Sequence, residues 1–151
     1  MRLSIDLGEV VIDRPIEVVF GFISDMENGP LWGRTTRTTK ETDGPVSVGT
    51  LFREETRAGE DTLVKQTEVV DCDPLIRFSY TSRYDDGTTE QARISFTSVV
   101  GGTRVSPAAE VEIPGVPQDQ AQAFSREMET QVRSLLGNLK IVLESPDRPA
   151  A

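Results

Sequence analysis

The 151 residues, 36% of them hydrophobic, suit one globular domain over residues 1–151 with a real core. A net charge of −9 argues against nucleic acid and anionic membranes as main partners, and the single Cys72 excludes an internal disulfide. Histidine is absent, so the commonest general base and metal ligand are missing and no metal or cofactor is expected. No apolar run approaches the roughly eighteen residues of a membrane span, and the N-terminus lacks a basic-then-apolar leader pattern. Cytoplasmic residence without integral membrane association is the expectation.

Leu3, Ile5 and Leu7 alternate with polar residues, as in a half-buried strand, and Val10 and Ile12 fall on the opposite parity. The switch at Gly8-Glu9 predicts a bulge. Asp13 and Pro15 predict a helix start, with Asp13 as cap and Ile16, Val19, Phe20 and Ile23 on its apolar face. Asp25 caps a second short helix, which Gly29-Pro30 ends, and Trp32 follows. Six strands come next. Arg34 to Glu41 is polar and Thr-rich, as in an edge strand. Gly49 to Arg57 and Thr62 to Cys72 follow. Leu75 to Arg83 places Ile76, Phe78 and Tyr80 on one face, and Thr88 to Val99 does so with Ala92, Ile94 and Phe96. Asp85-Asp86-Gly87 and Gly101-Gly102 are hairpin turns, the second leading into Thr103 to Ile113. Pro107 inside that last strand removes a ladder donor and predicts an edge position or a bulge. Pro107-Ala108-Ala109 is also small enough to leave room in a cavity wall.

Gln118 to Glu144 reads as one long amphipathic helix between Pro117 and Pro146. Ala121, Phe124, Met128, Val132, Leu135, Leu136, Leu139 and Leu143 form its apolar stripe. Gly137 lies about 180° from Met128, off that stripe. The tail from Ser145 to Ala151 is expected to fray. Short turns between successive strands imply an antiparallel meander.

Several stretches resemble the START-like (SRPBCC) superfamily, which includes polyketide cyclase/dehydrase-type proteins. They are Ile12 to Trp32, the GTLFRE after the first hairpin, DCDPLIRFSY around the central turn, and GGTRV before the last strand. The resemblance covers about Val10 to Glu144. It implies an α+β helix-grip fold: a seven-stranded antiparallel sheet wrapped around the long C-terminal helix, with two short helices after the first strand. It also implies a largely apolar cavity between sheet and helix. The family shares a cavity and no catalytic set, so the resemblance does not by itself make the chain an enzyme.

Strand parity and the helix stripe select the residues expected to line such a cavity. They are Phe52, Phe78, Tyr80, Ile94, Phe96, Val105 and Ala109 on the sheet, and Phe124, Met128 and Val132 on the helix. Each is also an ordinary core residue if no cavity exists. Trp32 gates the opening, stacks on a flat ligand or plugs the helix–sheet seam; the sequence leaves all three open. Glu54 shares the parity of Phe52, so it points inward unless a bulge reverses its strand; its charged neighbours Arg53 and Glu55 weigh towards solvent. Tyr80 and Glu54 are the candidate catalytic residues, with Arg34, Arg93 and Glu110 weaker ones.

The leading expectation is a binding protein, monomer or homodimer, for a small apolar or aromatic molecule, lipid- or polyketide-like. The alternative is a polyketide cyclase, aromatase or dehydratase using the same cavity, with Tyr80 and Glu54 converging in it. The third is a protein-interaction module without a small ligand, which predicts a filled core and an exposed apolar patch.

Overall fold

The computed structural model describes residues 1–145. The expected fraying of the tail lies outside them, except for Ser145. The elements are β1 (Arg2–Asp6), β2 (Val10–Ile12), α1 (Ile16–Ser24), a 3-10 turn at Met26–Asn28, α2 (Gly29–Trp32), β3 (Thr35–Lys40), β4 (Leu51–Ala58), β5 (Asp61–Asp73), β6 (Arg77–Tyr84), β7 (Thr89–Val99), β8 (Gly102–Glu112), and α3 (Ala121–Glu144) after a 3-10 turn at Gln118–Gln120. All strands pair antiparallel in one sheet ordered β1-β8-β7-β6-β5-β4-β3, and β2 continues β1 along β8. This is the helix-grip arrangement, with the predicted first strand divided in two. Thr-rich β3 is an edge, as its polarity predicts.

The division of the first strand and Pro107 are one feature. Asp6 pairs with Ala108 and Val10 with Val105, so Pro107 faces the interruption around Gly8. The partner strand bulges away where Pro107 offers no N–H, and Leu7 N–H donates to the Pro107 carbonyl at 3.2 Å. Gly8, with φ of +81°, takes the left-handed conformation the bulge requires.

Two local expectations, for Asp13 and Ile76, are corrected. Asp13 does not cap α1; Pro15 occupies the N-cap position, and the Asp13 N–H instead donates to the Glu144 carboxylate at 3.1 Å. Gly29 ends the short 3-10 segment Met26–Asn28 as expected, and Gly29-Pro30 also opens α2, because a proline in the first turn has no hydrogen bond to lose. Asp25 does cap a turn, accepting from the Glu27 N–H, but that turn is 3-10. Ile76 does not share the inner face of Phe78. It lies in the turn before β6, is 54% exposed, and follows Leu75 at φ +67°.

Two apolar cores lie between sheet and α3. The larger joins Ile12, Val19, Phe20, Phe22 and Ile23 to Phe52, Val69, Phe78 and Phe96, and to Leu136, Leu139 and Leu143 of α3. The smaller packs Leu3, Ile5, Ala109 and Val111 against Ala121, Phe124 and Met128 at the start of α3. Between them the inward row across the sheet runs Tyr80, Ala92, Ala109 and Ile5. Two adjacent alanines under a helix leave space that larger side chains would fill.

Candidate functional site: a cavity with one polar wall

That space is a cavity of about 330 Å³ between the sheet and the middle of α3. Its apolar lining includes Phe78, Ala92, Ile94, Val105 and Ala109 from the sheet and Met128, Val132, Leu135, Leu136 and Leu139 from α3. Ile23, Met26 and Trp32 close one side. Arg34 and Leu63 are its solvent-exposed members and mark the opening. There Arg34 Nη1 donates to Gln131 Oε1 of α3 at 2.6 Å, and Asn138 of α3 donates to the Trp32 carbonyl at 3.4 Å. These bonds tie the α2–β3 corner to the helix.

Of the residues selected from the sequence, Trp32, Phe78, Tyr80, Ile94, Val105, Ala109, Met128 and Val132 border this cavity. Trp32 also packs against the larger core, which joins two of its three readings. Phe52, Phe96 and Phe124 do not border it. Their facing is inward as parity requires, but they lie at the wrong level along their elements. Phe96 stacks edge-on against Phe20 of α1, with ring centroids 5.0 Å apart. Phe52 is sealed in the larger core and Phe124 belongs to the smaller one. Arg93 and Glu110 are exposed on the outer face.

Glu54 is buried on the cavity wall despite its charged neighbours, at 4% exposure. Cross-strand pairing explains how it is held. Lys65 of β5 is its direct partner, and Tyr84 of β6 is the partner of Lys65. Lys65 Nζ lies 3.7 Å from Glu54 Oε2 and 5.6 Å from the Tyr84 ring centroid. The neighbouring row is Thr67, Ser82 and Glu90. Thr67 Oγ1 donates to Glu54 Oε2 at 2.7 Å and lies 2.7 Å from Ser82 Oγ. Since the Thr67 proton is committed to Glu54, Ser82 must donate to Thr67, and the chain of hydroxyls ends on the carboxylate. Glu54, Lys65, Tyr80, Tyr84 and Glu90 thus form one polar wall in an otherwise apolar cavity.

Electrostatics set the protonation states of Lys65, Tyr80 and Tyr84. Burial alone would lower the Lys65 pKa, but the carboxylates of Glu54 and Glu90 outweigh it and hold it above its ordinary value. Lys65 therefore stays an ammonium and is neither nucleophile nor base. Burial, then Glu90, pushes the Tyr80 phenol well up against the opposing pull of Lys65, and burial does the same for Tyr84. Both hydroxyls stay protonated, so Tyr80 can serve as a hydrogen-bond donor on the cavity wall. Cys72 is not part of this site; burial and flanking Asp71 and Asp73 push its thiol pKa up.

Lys65, Tyr84, Thr67, Ser82 and Glu90 escape a reading of the sequence strand by strand. Their signal is polar residues at inward parity on adjacent strands, and it becomes visible only once the register is known.

A curled antiparallel sheet gripping a long helix, with a small-molecule-sized cavity between them, defines the class. The chain belongs to the family described as polyketide cyclase / dehydrase and lipid transport, whose model matches residues 8–144. Among curated proteins, none matches. Among solved structures, the chain is similar to the di-domain ARO/CYC BexL, with a TM-score of 0.74 and 21% identity over 98% of this chain and 51% of that one, so it spans about half of BexL. It is similar to the Zhui aromatase/cyclase from a Streptomyces species, with a TM-score of 0.70 and 12% identity over 99% and 100% of the two chains. A protein from Rhodobacter sphaeroides gives a TM-score of 0.71 and 19% identity over 97% and 93%. Identities this low carry the fold alone. No helix among the described residues is long and apolar enough to cross a membrane.

Proposed function

We propose that this protein binds one small, apolar, aromatic-type molecule in the cavity between the sheet and α3. The observation that carries this reading is the cavity itself: about 330 Å³ of space with a mostly apolar lining and a few convergent polar groups on one wall. That combination is usual for a small-molecule site, whose volumes run from roughly 300 to 1,000 Å³. The family and the aromatase/cyclase neighbours support it. Native mass spectrometry of the purified protein tests it. A mass excess of a few hundred daltons, lost on denaturation, or one-site binding of an added aromatic probe is expected. Absence of both counts against the reading.

A second reading, a cyclase, aromatase or dehydratase, is favoured by one observation: Glu54 and Tyr80 line the same cavity. A protonated Tyr80 hydroxyl would polarise a substrate carbonyl, and Glu54 would take a proton nearby. Loss of turnover of a poly-β-ketone substrate in Tyr80→Phe, with ligand affinity retained, would separate this reading from simple binding.

A further inference from the structure

We propose that the polar wall is a charge filter, which admits ligands carrying a neutral hydroxyl and rejects those presenting a carboxylate. The inference names the ligand class for the cavity and so rests on the binding reading above.

The charges on the wall do not balance. Glu54 and Glu90 face a single ammonium, that of Lys65. Arg34 is the other cation of the lining, but it stands at the opening, solvent-exposed and bonded to Gln131. Its interaction with a ligand is therefore screened by water, whereas the wall lies behind it in apolar surroundings. A ligand carboxylate at the wall would be a third negative group beside one cation. Like charges this close in a partly dry cavity repel strongly.

Hydrogen-bond capacity points the same way. The hydroxyl protons of Ser82 and Thr67 are committed to the chain that ends on Glu54. The Lys65 ammonium stands 3.7 Å from Glu54 Oε2 and 5.6 Å from the Tyr84 ring centroid, and its charge is drawn on by Glu90 as well. Tyr80 has no hydrogen bond to a described residue, so its hydroxyl remains to donate. The acceptor capacity left on the wall is carboxylate oxygen. A ligand hydroxyl carries one donor and two acceptor lone pairs, so it can accept from Tyr80 and donate to a Glu at once. A carboxylate can only accept, and would leave the wall's surplus acceptors facing it. Burial and the nearby carboxylates keep the Tyr80 phenol protonated, which preserves this pattern near neutral pH.

Isothermal titration at pH 7 with naphthalene, 2-naphthol and 2-naphthoate tests the filter, because the three share one apolar body. A phenol stays largely neutral at this pH and a carboxylic acid is ionised. The expected result is 2-naphthol binding at least tenfold more tightly than 2-naphthoate, with naphthalene weaker than 2-naphthol. In Glu90→Gln, which removes one negative charge and keeps the side-chain shape, 2-naphthoate should gain several-fold and narrow the ratio. Equal affinity for 2-naphthol and 2-naphthoate in the wild type would overturn the filter while leaving the binding reading intact. So would a ratio unmoved by Glu90→Gln in a variant whose circular dichroism shows it folded. Tight 2-naphthoate binding that disappears in Arg34→Ala would mean acids dock at the opening, and would also overturn it. If none of the three compounds binds, naphthalene included, the binding reading falls and the filter with it. The wild-type comparison stands even if the variant does not fold.

Discussion

Glu54 and Lys65 are direct cross-strand partners on β4 and β5, and their charged groups approach to 3.7 Å on the cavity wall. Removing one partner leaves the other charge poorly solvated. Lys65→Met, which strands two carboxylates, should cost about 3 kcal/mol. Glu54→Gln should cost less, because Lys65 keeps Glu90. The double variant should lose less than the sum of the singles, with a coupling of roughly 1–2 kcal/mol in urea unfolding. Strict additivity would mean the pair does not interact.

The same wall predicts an alkaline weakness. The folded pKa values of Lys65, Tyr80 and Tyr84 are all raised. A group whose folded pKa exceeds its unfolded value binds its proton more tightly in the native state. Its stabilising contribution is complete below the unfolded pKa, about 10 for Lys and Tyr, and is lost as pH rises through the folded value. The melting temperature should therefore hold from pH 7 to 9 and fall steeply above pH 10. The double variant Lys65→Met/Tyr80→Phe, compared with its own value at pH 8, should fall less. A parallel fall in both proteins would place the alkaline weakness elsewhere.

Along α3, cost should follow distance from the cavity. Leu143 is fully buried in the larger core and does not border the cavity, so Leu143→Ala should cost about 2–5 kcal/mol. Met128 is half-buried and already borders open space, so Met128→Ala should cost distinctly less while enlarging the site. Leu139 is intermediate in kind, fully buried yet bordering the cavity. Equal, large losses at Met128 and Leu143 in denaturant unfolding would make Met128 plain core.

Two glycines should respond in opposite directions. A Cβ on Gly102, which has φ of +131°, would stand 2.0 Å from the Ile12 carbonyl oxygen. Gly102→Ala must therefore push apart the β2–β8 pairing and should prevent folding or lower the melting temperature sharply. A Cβ on Gly137 meets nothing within 4 Å on the exposed side of α3. Gly137→Ala should stabilise by up to about 1 kcal/mol through helix propensity. A loss there instead would indicate that Gly137 is approached by another chain.

The helix stripe, the hairpin turns and the alternation of strands are local patterns, and they carry nearly the whole architecture. Facing was legible too: Phe78, Tyr80, Ile94 and Val105 point inward as parity requires. Level was not. Whether an inward residue meets α1, the cavity or the start of α3 depends on strand offset and sheet curl, which no single strand encodes. That is why Phe52, Phe96 and Phe124 lie in packed core. Glu54 was ambiguous beside Arg53 and Glu55, because its partners Lys65 and Thr67 stand more than ten positions away and face it only through the β4–β5 register.

The most direct test of the account compares naphthalene binding by calorimetry in the wild type and in Ala92→Phe. Ala92 sits opposite Tyr80 and Ala109 on the cavity wall, and a phenyl ring there would occupy the space. The account predicts saturable one-site binding in the wild type and at least a tenfold loss in a folded Ala92→Phe. Equal binding by both proteins would place the ligand outside the cavity and contradict it.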